Sequence, residues 1–410
     1  MKNKLIKNTV SLYVMNISKI LISLVTLPYL TRILSKDCYG IVSYVKAVMS
    51  YMQLIVDFGF ILSGANDIIG AKADKIKTEY EIGDIFAAKL ILAVFSLIVL
   101  IIFMLFIPIL RGNIIYTLLS FAVVFLTCFL FDYFFMGIEE MQMLAAQYIC
   151  MRTISTVLTF IFVRSDSDIL WMPIFDIIGS IAAAILVMYE LKKRKITVRF
   201  TNFKNILNKI KKSALYFVSD FATTAFGVLN TLIIGIYASE VQVAEWSLCL
   251  QMVMAVQAMY TPITNGIYPE MVKNKNINII KKSLKIFMPI IFAGCIFTFF
   301  AAEYVLLIIG GEQYVNAAGL LRALIPVLFI SFPEMLFGWP VLGALERVKE
   351  TTITTVIAAV LQILGLILLI AINKFTLINI AFLRGITDLI LFLSRLWYCI
   401  KFRKEFNQNV

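Results

Sequence analysis

Ser43, Lys46, Ser50, Gln53 and Asp57 recur at intervals of three and four residues inside an otherwise apolar stretch. That spacing puts them on one face of a helix. Asn16, Lys19, Ser23 and Thr26 repeat the arrangement in the preceding apolar stretch, and Arg152 shares a face with Ser155 and Thr159 in a later one. A lysine in the middle of hydrocarbon costs about 2.5–3.5 kcal/mol even on the lenient insertion scale. Lys19, Lys46 and Arg152 are therefore candidate functional residues, with Ser50 and Gln53 beside Lys46. The second half of the chain has polar faces of its own, Asp220, Thr223, Gly227 and Asn230, then Ser247, Gln251, Ala258, Thr261 and Asn265. Asn230 and Gln251 are the candidates there. Hydroxyls alone are better explained as cement between helices.

The ionisable groups divide by their neighbours. Asp57, Asp220 and Glu334 are candidates for ion coupling, because an intramembrane carboxylate can change charge as its surroundings change. Asp132, Asp176 and Glu303 are further acids of this kind. Lys89 is expected to snorkel towards the inner surface. Arg384 and Asp388 are four residues apart, with Arg395 on the same face, and read as a structural ion pair. Bond-making chemistry has little to work with. The chain has no histidine, and its six cysteines form no CxxC pair. No metal site, disulfide framework or nucleotide-binding P-loop is indicated, so neither a catalytic residue nor a cofactor is expected.

The elements that hold these residues are set by composition. Hydrophobic residues make up 61% of the 410, against about 45–50% in soluble domains. The bilayer is the solvent, and the long uniform apolar runs call for helices rather than barrel strands. Twelve stretches qualify, at approximately 10–33, 41–63, 85–108, 114–136, 144–164, 169–190, 213–237, 241–268, 286–309, 317–344, 350–372 and 377–400. A basic block from Lys192 to Lys212, with no acid in it, divides them six and six. An even number of crossings starts both halves on the same face, the pattern of parallel repeats related by an axis along the membrane normal. The expected architecture is an all-α membrane protein of two six-helix lobes, 1–190 and 213–410, joined by a basic cytoplasmic linker, 191–212. Spans 1, 2, 7 and 8 bring their polar faces to a central wet cleft.

Charge sets the orientation. One set of loops carries Lys2, Lys4, Lys7, Lys72, Lys75, Lys77, the central block, Lys273, Lys275, Lys281, Lys282, Arg347, Lys349, Lys401, Arg403 and Lys404. The other carries Lys36, Arg111, Arg164 and Lys374, with Arg32 at a helix end. Both termini are thus expected in the cytoplasm. The net charge of +12 is a topology signal and does not call for nucleic acid. The basic start reads as a retained first span, not a cleaved leader. Asp166-Ser167-Asp168 spells a metal–sugar-phosphate motif, yet it falls in a short outer turn and reads as a solvated loop. Such short outer loops argue against a membrane polysaccharide polymerase or ligase. Pro326, Pro333 and Pro340, seven residues apart, should kink span 10, and Pro28 and Pro262 should bend spans 1 and 8.

Pro28, Thr31-Arg32 and Tyr39-Gly40, followed by Tyr268-Pro269 and Gly311-Glu312-Gln313-Tyr314 with Ala317, resemble the pattern of Wzx-type bacterial polysaccharide flippases. The resemblance covers the whole chain. It implies the two-lobed fold of the multidrug/oligosaccharidyl-lipid/polysaccharide exporters, like that of MATE transporters. The implied cargo is an oligosaccharide repeat unit on undecaprenyl pyrophosphate, of O-antigen or a similar polysaccharide. It would be flipped from the cytoplasmic to the outer leaflet of the bacterial inner membrane by alternating access. Membrane lipid and other polysaccharide polymerisation and export proteins are the implied partners. The family's cationic lumen maps onto Lys19, Lys46 and Arg152. Spans 7 and 8 depart from it, with Asp220 and Glu245 but no Lys or Arg. That departure keeps a cation-coupled multidrug exporter of the same superfamily as the alternative.

Overall fold

Inside hydrocarbon each backbone N–H and C=O needs a partner within its own segment, so an apolar chain of this kind resolves into helices. The computed structural model describes residues 2–406, apart from the side chains of 2–6, 9, 219, 222, 223, 225 and 226; the Thr223 side chain therefore lies outside the described residues. The helices are α1 (Lys2–Ile33), α2 (Lys36–Asp57), α3 (Phe60–Ala71), α4 (Lys75–Phe106), α5 (Pro108–Gly112), α6 (Ile114–Leu126), α7 (Asp132–Gly137), α8 (Met141–Phe162), α9 (Trp171–Lys193), α10 (Phe203–Tyr237), α11 (Glu240–Asn274), α12 (Ile277–Gly310), α13 (Ala318–Leu336), α14 (Val348–Ala371) and α15 (Leu377–Lys401). No strand occurs among the described residues. Among the described residues, ten helical segments are long and apolar enough to cross a membrane. The other two expected crossings fall on α10 and α11, each 35 residues long. Glu240, Gln242, Glu245, Gln251 and Gln257 dilute the apolar character of α11, and α10 contributes only the shorter apolar stretch Gly227–Tyr237.

Two of the expected spans are broken in mid-course. The second divides into α2 and α3 at Phe58 and Gly59, both left-handed (φ 40° and 73°). Glycine takes such a φ without strain, and a Cβ at Gly59 would lie 2.5 Å from Cβ of Tyr216. Phe58 is held in the same region by stacking on Phe217, with ring centroids 4.4 Å apart. The fourth span breaks at Phe131 (φ 50°), between a short 3-10 turn and α7. The proline-rich tenth segment kinks as expected. After α13 it widens into a π-helical stretch, Phe337–Gly343, where Gly338 leaves helical geometry (ψ −117°).

The chain forms two compact units. The first runs to Thr224 and takes back Gly235–Glu240; the second takes Ala225–Ile234 and resumes at Val241. In the first, α8 packs on α1 and α9, α6 on α2 and α9, and α3 on α4 and α7. Its core gathers Phe60, Ile82, Phe131, Phe134, Phe135 and Val187. Tyr133 is buried there and donates its hydroxyl to the carbonyl of Ile82 at 2.9 Å. In the second, α13 and α14 pack on α15, and α12 on α13, around Phe332, Leu336, Val341 and Leu342.

The central basic segment is folded against the first unit. Glu79 accepts from the Thr197 amide (3.1 Å) and pairs with Arg199 (2.8 Å). Asp84 accepts from both the amide and the hydroxyl of Thr201. Lys209 reaches Asp67 and Glu81, and Lys212 reaches Asp67. Burial pulls the Lys209 ammonium down, but its hydrogen bonds to Asp67 and Glu81 outweigh that and hold it above the ordinary lysine value. The acids missing from the basic block thus come from α3 and α4.

Candidate functional site

The polar stripe of α2 is the accessible face of an otherwise embedded helix. From Val42 to Val56 every residue is buried except Lys46 and Ser50, which are exposed, and Gln53 and Ile55, which are half-buried. Ser43, expected on the same face, is buried. The Ser50 hydroxyl bonds back to the carbonyl of Lys46 at 3.0 Å. The Lys46 ammonium makes no hydrogen bond or ion pair within the described residues. It is under the field of Arg152, a like charge, and of Asp176.

Lys19 is exposed on α1. Its ammonium lies 4.9 Å from the ring centre of Tyr148 on α8, a cation–π contact. Arg152, one turn beyond Tyr148, pairs with Asp176 of α9 at 3.4 Å. Ser155 donates a close hydrogen bond to the same carboxylate oxygen. Lys19 is under the field of both Asp132 and Arg152. Lys19, Lys46 and Arg152, from three different helices, are therefore brought into one electrostatic group in the first unit. Asp132 and Asp176 flank it.

Behind the stripe lies a second, tighter cluster. Lys89 does not snorkel. It is 2% exposed and pairs with Asp57 at 2.9 Å. Gln53 donates to Asp57 (2.7 Å) and to Thr127 (2.9 Å), so its amide tethers the acid at the helix break. Gln147 donates closely to Asp132, the first residue after the left-handed Phe131. Asp220, half-buried on α10, is within the field of Asp57.

The candidates of the second unit are differently placed. Asn230 is 2% exposed and accepts from Gln362 at 2.8 Å, while Thr387 donates to Gln362 at 2.6 Å. Glu334 pairs with Arg395 at 3.1 Å, and Arg395 also donates to the Glu334 carbonyl and to Thr355. Arg384 and Asp388 form the expected intrahelical pair at 3.1 Å. Gln251 is half-buried on α11.

The motif residues fasten helix ends. A Cβ on Gly40 would lie 2.0 Å from the carbonyl oxygen of Glu240, so only glycine permits that approach. Thr31 is fully buried and bonds to the Leu27 carbonyl. Tyr29 donates to the carbonyl of Val163, and the Ser35 amide donates to Asp166 at 2.8 Å. The loops after α1 and α8, both expected on the outer side, therefore meet at one end of the unit.

A model of the family described as polysaccharide biosynthesis protein matches residues 5–275. The chain belongs to that family. Among its relatives is a protein of Escherichia coli (strain K12) named "Putative O-antigen transporter", 27% identical over 387 residues, 88% of this chain and 89% of the relative. The fold is shared with solved structures, two of them as follows. The lipid II flippase MurJ in an inward closed conformation aligns over 96% of this chain and 87% of its own, with a TM-score of 0.73 at 13% identity. An inward-facing multidrug resistance MATE family transporter of the MOP superfamily aligns over 94% and 98%, with a TM-score of 0.66 at 15% identity. The resemblance read from the sequence motifs and the all-α, MATE-like membrane fold are both borne out.

Tyr148 was not singled out from sequence, although it had a signal, one turn before Arg152 on the same face. Asp132 and Asp176 were named there as acids, but their assignment to these cations had no signal, because the partners come from other helices.

Proposed function

We propose that this chain carries an undecaprenyl-pyrophosphate-linked oligosaccharide repeat unit from the cytoplasmic to the outer leaflet of the bacterial inner membrane. The observation that carries the reading is the accessible stripe of α2, with an unpaired lysine at its centre and Lys19 and Arg152 in the same electrostatic group. Family membership and the printed name of the Escherichia coli relative support it. A diphosphate cannot cross hydrocarbon bare, since removing even one ion from water costs several kcal/mol after relaxation. Lys19, Lys46 and Arg152, helped by Ser50, replace the lost hydration while the lipid tail stays in the bilayer. Both termini and the segment 191–212 face the cytoplasm, and the lobes 1–190 and 213–410 alternate in access. No bond is made or broken, so no catalytic group is needed. Asp57, Asp132 and Asp176 already have cationic neighbours, which favours an anionic cargo over a cationic drug. Asp220 and Gln251 are the remaining accessible polar candidates. Membrane lipid and the polysaccharide polymerisation and export proteins are the partners this role requires.

Energy is supplied at least in part by the membrane potential. An anion moving outward gains about 2.3 kcal/mol per charge per 100 mV, or roughly 5 kcal/mol for two charges. The test is to delete the gene and determine on which leaflet lipid-linked repeat units accumulate. Accumulation on the cytoplasmic leaflet is expected. Accumulation on the outer leaflet would instead assign the step to polymerisation or ligation.

A further inference from the structure

A second polar site lies away from the cation group, at the end of the first unit where the basic segment docks. Lys77, Tyr80, Glu81 and Asp84 share one face of the first turns of α4. Asn205, Asn208 and Lys209 share one face of the first turns of α10. Between these faces runs a groove of about 580 Å³, within the range of about 300–1,000 Å³ for small-molecule clefts. Its walls are pinned to each other. Asp84 accepts from the Thr201 amide at 2.9 Å and from its hydroxyl at 2.7 Å, and Lys209 reaches Glu81. Beside these contacts the backbone of Arg199 lies directly on Gly83, where a Cβ would come within 1.7 Å of its carbonyl oxygen. The groove is therefore formed before any ligand arrives, which lowers the ordering cost of binding.

The groups at the pinned points are already engaged, Asp84 with Thr201 and Lys209 with Glu81 and Asp67. The Tyr80 phenol, the side-chain amides of Asn205 and Asn208, and the Lys77 ammonium line the same groove and make no hydrogen bond or ion pair among the described residues. Tyr80 is half-buried, and both asparagines are exposed. Asp74 caps α4 through one carboxylate oxygen, which accepts from the amides of Ile76 and Lys77; its other oxygen makes no hydrogen bond there. Lys77 and Asp74 balance, so the available groups carry no net charge. An anion would meet three carboxylates in this groove, and a cation would meet two lysines. An apolar ligand would strip water from two amides and a phenol without replacing it. A saccharide fits every wall. Its neighbouring hydroxyls both donate and accept, as planar amides do, and the C–H face of a sugar ring packs on an aromatic ring such as that of Tyr80.

We infer that this groove is a saccharide site, and that it holds the sugar end of a lipid-linked repeat unit still in the cytoplasmic leaflet, before the diphosphate reaches Lys46. The inference rests on the flippase reading above and on the orientation that goes with it, which puts the segment 191–212 and the turn between α3 and α4 in the cytoplasm. Tyr80 supports one face of a sugar ring. Asn205 and Asn208 bond its hydroxyls from the α10 wall, and Lys77 and Asp74 bond them from the α4 wall. A site made of neutral hydrogen bonds holds its ligand weakly, so the cargo can move on to the cation group.

The test uses the purified full chain in detergent and two separate probes. One is the free saccharide released by mild acid from the host's own lipid-linked repeat unit; the other is farnesyl pyrophosphate, which carries a diphosphate and no sugar. Saturation-transfer NMR titrations follow each. The wild type should bind the saccharide with a millimolar or tighter dissociation constant. Tyr80→Ala, and separately Asn205→Ala combined with Asn208→Ala, should each weaken that binding by about tenfold, as the loss of two neutral hydrogen bonds or of one stacked ring implies. The asparagines are exposed, so the double variant keeps the test decisive if Tyr80→Ala fails to fold. Farnesyl pyrophosphate should bind the wild type and both variants alike. A wild type that does not bind the saccharide, or a double variant that binds it as well as the wild type, overturns the saccharide site and leaves the diphosphate reading standing. Failure of the wild type to bind farnesyl pyrophosphate overturns the diphosphate reading, and the saccharide titrations then decide the groove by themselves.

Discussion

The two units use intramembrane charge in opposite ways. In the second, Arg395 is 10% and Glu334 14% exposed, and the guanidinium is spent on a carboxylate, a kinked-helix carbonyl and Thr355. Asn230, Gln362 and Thr387 form a closed buried chain of hydrogen bonds. In the first unit, Lys46 and Ser50 stand on the accessible face of a buried helix, and Arg152 holds its partner loosely. A charge whose bonds are all made within the protein fixes a conformation; one that is accessible and under-compensated is available to a ligand.

The sharpest way to break this comparison is to open a pair in the second unit. Glu334→Gln leaves Arg395 buried and uncompensated, and should destabilise the protein by about 3–5 kcal/mol. Replacing both partners, as Glu334→Leu with Arg395→Met, should recover most of that loss. Thermal unfolding in detergent measures both. A single variant as stable as the wild type would mean that this pair does not hold the unit together.

The first unit should respond in the reverse sense, with function lost and fold kept. Lys19→Ala is expected to reduce surface polysaccharide in a complementation assay by about tenfold or more, as the loss of one charge-assisted contact of about 1.5–3 kcal/mol implies. Protein abundance should be unchanged, and Lys19→Arg should restore part of the export. Lower abundance of Lys19→Ala would instead place Lys19 with the structural charges. Ser50→Ala should have the smallest effect, within a few-fold, because its hydroxyl already bonds to the Lys46 carbonyl.

How much of this was legible in the sequence follows from what each feature depends on. The α2 stripe was legible because a helical period shows in one segment alone, and the buried Ser43 is its one misplaced member. The kink after α13 was legible because proline removes a donor wherever it stands. The breaks at Phe58 and Phe131 were not, since phenylalanine has no preference for a left-handed φ and only ring packing from other helices holds it there. Lys89 was misread for the same reason. Its partner lies 32 residues away on another helix, and hydropathy alone sees an isolated charge near a helix end. Asn230 was read as lining a wet face, but its partner on α14 turns it inward.

The central claim is that the accessible cation on α2 recognises the diphosphate, and its most direct test is flipping of an undecaprenyl-pyrophosphate-linked repeat unit in proteoliposomes. Wild type, Lys46→Gln and Lys46→Arg would be reconstituted at equal density, with transport followed by access of an external lectin to the sugar. The account predicts that Lys46→Gln flips at least about tenfold more slowly than wild type, and that Lys46→Arg retains a substantial part of the rate because the charge is kept. Flipping by Lys46→Gln at the wild-type rate would contradict it.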